Sequence, residues 1–276
     1  MTTTLRPAEP ERRGADGVRS RRFTVCVNSR PVGGITLGTD ARFGPEVGRL
    51  DALSIEPADR RRGRAAVAAL AAEEVLRGWG CRRIDVAVPA DAPDAPVALR
   101  LAAALGYVER NRAMAKPVPA SPAGLPEGSA VRPMNGAEYA AWDERERPDY
   151  VQSWIDLGLT PARAAALADA DYRAALPDGP ATPDTALRVL SHHGTDVGHL
   201  WLRLAAPAWV YLITIVPAHR GHGHGRSLML AAERECAAAG VPTLGLNVYT
   251  ANTPAVRLYD SLGYRPTVHH LSKPLL

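Results

Sequence analysis

Between two arginines the chain reads Arg220-Gly221-His222-Gly223-His224-Gly225-Arg226, with glycine at every second inner position. A main chain so poor in Cβ atoms lets its N–H groups come within hydrogen-bonding reach of a phosphate. If a helix begins there, its first amides are unsatisfied and sit at the positive end of the helix dipole, so the segment forms an anion site. For a lone Gly-rich loop the plain alternative is a flexible turn. Spacing separates the phosphate-loop types. A nucleoside-triphosphate loop ends in Gly-Lys-Ser/Thr, whereas this one ends Gly225-Arg226-Ser227. The dinucleotide pattern Gly-x-Gly-x-x-Gly fails because the third residue after Gly223 is Arg226. His219, His222 and His224 have no accompanying cysteine or well-placed carboxylate, so they read as solvent-facing loop histidines and no metal site is expected.

The flanking residues supply the elements that would hold such a loop. Tyr211–Val216 is a β-branched, apolar run halted by Pro217. Arg226–Ala239 is rich in helix formers, with Leu228, Ala232 and Cys236 on one face and Gly240 as C-cap. A strand follows over Thr243–Val248. Asn252 then caps a helix with Pro254 in its first turn, running to Leu262. Upstream, Ala186–Leu190 and the segment opened by Val197-Gly198 form a hairpin about a polar turn. Antiparallel strands followed by strand, loop, helix, strand and helix give an α/β chain, a mixed sheet with helices on its faces.

The loop pattern Arg-x-x-Gly-x-Gly/Ala at 220–225 resembles motif A of the GCN5-related N-acetyltransferases, the GNAT superfamily. The strand and helix from Asn247 to Tyr264, with Leu258-Tyr259 and Leu262-Gly263-Tyr264, resemble the family's following segment. Leu176-Pro-Asp-Gly before Gly198-His-Leu-Trp201 is similar to one of its subgroups. The resemblance covers residues 131–276. It implies acetyl-CoA as co-substrate, its pyrophosphate on the amides of 221–226 and its pantetheine along the strand at Ile215 and Val216. It further implies direct attack by a substrate amine, with Tyr259 giving a proton to the departing thiolate and Asn252 contacting the cofactor. Core packing of Tyr259 and helix capping by Asn252 are the structural alternatives. Many relatives carry a glutamate on the strand before the loop as general base. Tyr211–Val216 has none, which leaves Tyr211, Thr214, His199 or a carboxylate from elsewhere.

The same pattern occurs twice. Ile55-Glu-Pro57-Ala-Asp-Arg60-Arg-Arg-Gly63-Arg-Ala65 aligns with Ile215–Gly225 at an offset of 160, and Ala71-Ala72-Glu73 and Gly80 recur as Ala231-Ala232-Glu233 and Gly240. At an offset of 157, Leu105-Gly106-Tyr107 recurs as Leu262-Gly263-Tyr264, and Lys116-Pro117 as Lys273-Pro274. The same offset sets Tyr259 against Ala102 and Asn252 against Ala95. The expectation is two tandem GNAT-type domains, the N-terminal one truncated, degenerate and noncatalytic. Its Arg60–Ala65 loop is still suited to CoA. The boundaries read as a mobile tail over 1–19, a degenerate domain over 20–118, a Pro/Gly/Ser-rich linker over 119–130 and a catalytic domain over 131–276.

Composition narrows the classes. A charge of +4 carried almost wholly by arginine is compatible with a polyanion partner, yet acidic residues interleave throughout and aromatics are few, so no nucleic-acid partner is expected. The chain has no membrane-spanning apolar run and no signal-peptide core. Its three dispersed cysteines fit buried reduced thiols, and a cytoplasmic setting is expected. The function read from these features is acetyl transfer to a primary amine of a small molecule or peptide; the alternative is a noncatalytic acyl-CoA-binding module. Monomer and homodimer stay open. Trp142-Asp-Glu-Arg-Glu-Arg-Pro-Asp149-Tyr150 falls where relatives place acceptor-side helices; it reads either as a lure for a cationic amine or as a solvated helix face.

Overall fold

The computed structural model describes residues 2–14 and 17–275. They form two compact units. The first takes the chain to Ala113, Tyr249–Ala251 and everything from Pro266 on; the second takes Met114–Val248 and Asn252–Arg265.

In chain order the first repeat gives β1 (Thr3–Pro7), β2 (Arg12–Arg13), β3 (Arg19–Val27), β4 (Arg30–Asp40), β5 (Gly44–Ile55), α1 (Arg64–Gly78), β6 (Arg83–Pro89), α2 (Ala95–Ala104) and β7 (Val108–Pro117). The second gives β8 (Ser129–Pro133), α3 (Gly136–Asp156), α4 (Pro161–Ala175), β9 (Thr185–His192), β10 (Thr195–Arg203), β11 (Ala208–Ile215), α5 (His224–Ala238), β12 (Thr243–Tyr249), α6 (Thr253–Ser261) and β13 (Arg265–Pro274). Residues 118–128 carry no regular element. The mixed α/β architecture read from the repeats is present in both halves.

The sheet of the first unit runs β1-β3-β4-β5-β6-β13, and that of the second runs β7-β12-β11-β10-β9-β8. The closing strand of each sheet therefore comes from the other repeat. β13 pairs antiparallel with β6, Val268 opposite Pro89 and Pro274 opposite Arg83. Leu271 and Leu275 enter the core of the first unit among Phe23, Ile35, Leu37, Leu76 and Ile84. Met114 of β7 enters the core of the second unit among Leu200, Leu228, Leu244 and Tyr264. A third apolar cluster lies on the other face of the second sheet, where α3 and α4 bring Trp142 and Tyr172 against Leu187, Val189 and Trp201.

One expectation is corrected at the N-terminus. The segment 1–19, read as a mobile tail, carries strand β1, with Thr3 opposite Val27 and Pro7 opposite Phe23; residues 1, 15 and 16 of it lie outside the described residues. The backbone pairing and the inward Leu5, packed on the core, hold a stretch whose composition alone is polar.

The parallel pairings are short. β11 meets β12 only over Ala208–Val210 against Leu244–Leu246, although both strands continue. β5 meets β6 only over Val47–Arg49 against Arg83–Asp85. Beyond these three pairs the strands part, and in the second unit the gap opens directly before the Gly-rich loop.

Candidate active site

Pro217 has no N–H to continue the sheet, so β11 ends at Ile215 and the chain turns through Pro217–His219 into the loop. Arg220 Nε donates to the Ile215 carbonyl at 3.3 Å, pinning the loop to the strand it leaves; Arg60 makes the same bond to Ile55 in the first unit at 2.8 Å. Gly221 (φ +82°) and Gly223 (φ +84°) are left-handed, and open space surrounds the position a Cβ would take at each. Helix α5 starts at His224 with no side-chain cap. The amides of residues 221–225 donate to nothing among the described residues, whereas those of Arg226 and Ser227 return to the Gly223 carbonyl. Five successive amides without a partner among the described residues thus stand at a helix N-terminus, where backbone donors favour an anion. The sixth, at Arg226, is spent within the helix, and its guanidinium bonds Ser261 Oγ at 2.7 Å.

The main chain along the splay is more restricted than the resemblance implies. Val216 has both groups engaged: its N–H donates to the Val197 carbonyl at 3.0 Å, and its carbonyl accepts from His219 N–H at 2.8 Å. Antiparallel alternation then turns the N–H and C=O of Ile215 away from β10, toward the side where β11 and β12 have parted. The Ile215 carbonyl takes Arg220, which leaves its N–H for a ligand strand.

Asn252 is the N-cap of α6, its Oδ1 accepting from Ala255 N–H at 3.2 Å, so only its NH2 is left for other work. Gly225 lets α6 close on α5: a Cβ there would stand 3.2 Å from Leu258 Cδ2. Tyr259 follows, 9% exposed, its ring 6.0 Å from that of Tyr264. Burial raises its pKa, so the phenol keeps its proton at neutral pH. The hydroxyl has no hydrogen-bond partner among the described residues.

The histidines depart from the solvent-facing reading. His222 is exposed but His224 is 6% exposed, its ring 5.0 Å from His192, 6.1 Å from His222 and 6.4 Å from His219, with His193 a further 4.2 Å from His192. Burial lowers the pKa of His224, and the neighbouring imidazoles lower it further. In the first unit the positions of His219 and His224 are Asp59 and Arg64, a buried ion pair that Arg30 joins at 2.8 Å. Packed imidazoles thus stand where the first unit keeps a buried ion pair. Among the described residues no group of three or more potential ligands is disposed to hold a metal ion.

Two further groups had weak sequence signals. Glu146, inside the acidic run of α3, is buried, and its Oε2 accepts from Thr214 Oγ1 of β11 at 3.0 Å. Glu233 of α5 is buried and takes Lys116 Nζ at 2.8 Å and the Tyr264 hydroxyl at 3.4 Å. Its counterpart Glu73 takes Lys273 Nζ at 2.8 Å and the Tyr107 hydroxyl at 3.1 Å. Lys116 and Lys273 are the only lysines in the chain, and that rarity at equivalent repeat positions is the signal that could have found the triads.

A short parallel pair followed by a loop that opens a helix occurs in both units, and the second unit adds a Gly-rich loop and a phenol on the next helix. The model of the Acetyltransferase (GNAT) family matches residues 3–107 and again 141–264, and the chain belongs to this family, as a tandem member. It is 33% identical over 191 residues to a mycothiol acetyltransferase of Thermobispora bispora, covering 62% of this chain and 59% of that one. The match thus spans about three fifths of that relative's length. It is 27% identical over 153 residues to the N-acetyltransferase YycN of Bacillus subtilis, covering 52% of this chain and 97% of that one. A GCN5-related N-acetyltransferase from Sphaerobacter thermophilus shares the fold at a TM-score of 0.53 and 18% identity, over 92% of this chain and 80% of that one.

Proposed function

We propose that the second unit transfers an acetyl group from acetyl-CoA to a primary amine of a small molecule or peptide, and that the first unit is a noncatalytic relative that retains a CoA-type loop. The observation that carries this reading is the run of five unengaged amides at 221–225 opening a helix, in the same unit as a Tyr259 hydroxyl that has no hydrogen-bond partner among the described residues. At the matching position of the first unit stands Ala102.

Acetyl-CoA supplies an acetyl group activated as a thioester. The amides of Gly221, His222, Gly223, His224 and Gly225 hold its diphosphate, and the N–H of Ile215 aligns the chain between diphosphate and sulfur. Fixing the donor in this way removes most of the orientational cost of a two-substrate reaction. Tyr259 keeps a proton in reserve for the leaving sulfur. The cysteines take no part as nucleophiles: all three are buried and unpaired, and burial pushes the Cys236 thiol up to about 11. Direct attack by the amine is therefore the route.

The test follows thiol release from acetyl-CoA with a panel of aryl-alkylamines, aliphatic diamines, amino sugars and a lysine peptide. Turnover with at least one amine class is expected. Tyr259→Phe is expected to lower kcat by about 100-fold with the affinity for CoA unchanged. Absence of release with every amine, or a Phe variant as fast as the parent at saturation, overturns the reading.

A further inference from the structure

β11 contains no carboxylate, yet one is delivered to it. Glu146 sits in the middle of α3 and is 7% exposed. Withdrawing a carboxylate from water is costly unless its oxygens are held, and both are: Oε1 by Arg145 Nε at 3.0 Å, Oε2 by Thr214 Oγ1 at 3.0 Å. Arg145 is half exposed and also reaches His199 Nδ1 at 3.5 Å, while the Thr214 bond ties the carboxylate to the strand residue before Ile215.

Facing directions decide what this carboxylate can reach. Ile213 and Ile215 pack into the cluster that contains Tyr259. Leu212 packs into the opposite cluster with Trp142, Tyr172 and Trp201, and Thr214 shares its face. Glu146 thus meets β11 on one face, and the cluster that contains Tyr259 packs on the other. Around Glu146 stand Arg145 on its own helix, Asp143 paired with Arg147, His199 of β10 opposite Thr214, and Tyr172 of α4. Burial and Arg145 keep His199 below its ordinary pKa, so it brings no competing cation at neutral pH. On the same face the Trp201 indole N–H is sealed and has no hydrogen-bond partner among the described residues, while Tyr211, 44% exposed, stacks on that indole at 4.7 Å. A carboxylate on the same sheet face as the half-exposed Tyr211 ring suits a primary ammonium group carrying an apolar substituent. Among the described residues of the first unit no helix precedes β3, and Ser54, at the position of Thr214, bonds no carboxylate.

Resting on the acyl-transfer reading, we infer that Glu146 of α3 holds the acceptor's ammonium group and takes its proton, supplying from across the sheet the base that β11 lacks. The step balances. The ammonium gives one proton to the carboxylate and the freed nitrogen pair forms the N–C bond. The C–S bond breaks, the sulfur takes a proton from Tyr259, the nitrogen's second proton returns to the Tyr259 oxygen, and Glu146 gives its proton to water, so that one proton is released per turnover.

The test uses the full chain and two readouts. Without acetyl-CoA, calorimetry with benzylamine as cationic probe and benzyl alcohol as its uncharged isostere is expected to show Glu146→Gln weakening benzylamine at least tenfold while leaving the alcohol unchanged. In turnover with the best amine of the panel, the same variant is expected to lose about 100-fold in kcat at pH 7 and to regain rate as pH rises past the amine pKa. A fluorinated ethylamine, already neutral at pH 7, is expected to be nearly insensitive. If Glu146→Gln does not fold, Thr214→Val leaves the carboxylate untethered and is read by the same two assays. Equal benzylamine binding in parent and variant, no benzylamine binding by the parent, or an equal loss of kcat with charged and neutral amines overturns the inference. Benzylamine binding through Glu146 in a protein that releases no CoA would instead sink the acyl-transfer reading alone.

Discussion

Lys116 Nζ lies 2.8 Å from Glu233 Oε1, a carboxylate 3% exposed and 117 positions away. Lys116 ends the first repeat and Glu233 belongs to the second, while Lys273, which ends the second, bonds Glu73 of the first. Each repeat thus neutralises the buried carboxylate of the other's central helix, and each lysine rides on the strand that closes that sheet.

Removing one lysine leaves its glutamate buried without a counter-charge. Lys116→Met is expected to destabilise the second unit, and Lys273→Met the first, by about 3 kcal/mol each. Hydrogen exchange resolves them: Lys116→Met speeds exchange in α5, Lys273→Met in α1.

Truncation after Arg265 removes β13 and with it Lys273, Leu271 and Leu275. The expected outcome is loss of protection in β6 and α1, read by limited proteolysis, with α5 of the second unit spared. A fragment starting at residue 131 is expected to expose Glu233 and to aggregate, since it lacks Met114 and Lys116.

At one left-handed position the first loop carries a side chain where the second has glycine. Arg61 holds φ +59° where the second unit has Gly221 at +82°. A left-handed side-chain residue costs about 1–2 kcal/mol, part of which glycine returns through its freer unfolded chain. Arg61→Gly is therefore expected to stabilise the first unit by about 0.5–1 kcal/mol, seen in denaturant midpoints. In the second unit, Gly223→Ala at a left-handed glycine (φ +84°) is expected to weaken CoA binding in calorimetry about tenfold.

Burial holds His199, His224 and His270 below the ordinary imidazole pKa of 6.5. As pH falls, the unfolded chain takes these protons first. Their contribution is fully present above about pH 6.5 and is lost as pH drops through the lowered folded values. Urea midpoints are expected to fall between pH 7.5 and 5.5, and His224→Asn is expected to flatten that slope.

Much of the frame was legible because its boundaries are set by local chemistry. Pro217 stops β11, Gly223 and Gly240 bracket α5, and Asn252 starts α6, all read from residue types with a steric or hydrogen-bonding reason. The exchange of closing strands was not legible. β7 and β13 are copies of one another, so their patterns fit either sheet and only the three-dimensional pairing decides. β1 hid because a half-exposed edge strand of Thr, Leu, Arg and Pro has too little apolar alternation. Glu146 hid because Asp143, Glu144, Arg145 and Arg147 surround it with the spacing of a solvated face, and nothing in that spacing says which carboxylate turns inward.

The reciprocal lending of end strands also orders events in time. A ribosome releases the first half long before the final strand it requires, while the second half already holds everything it needs once residue 265 has emerged. The half made first is thus the last to be sealed, and its exposed sheet edge must wait through the synthesis of the other.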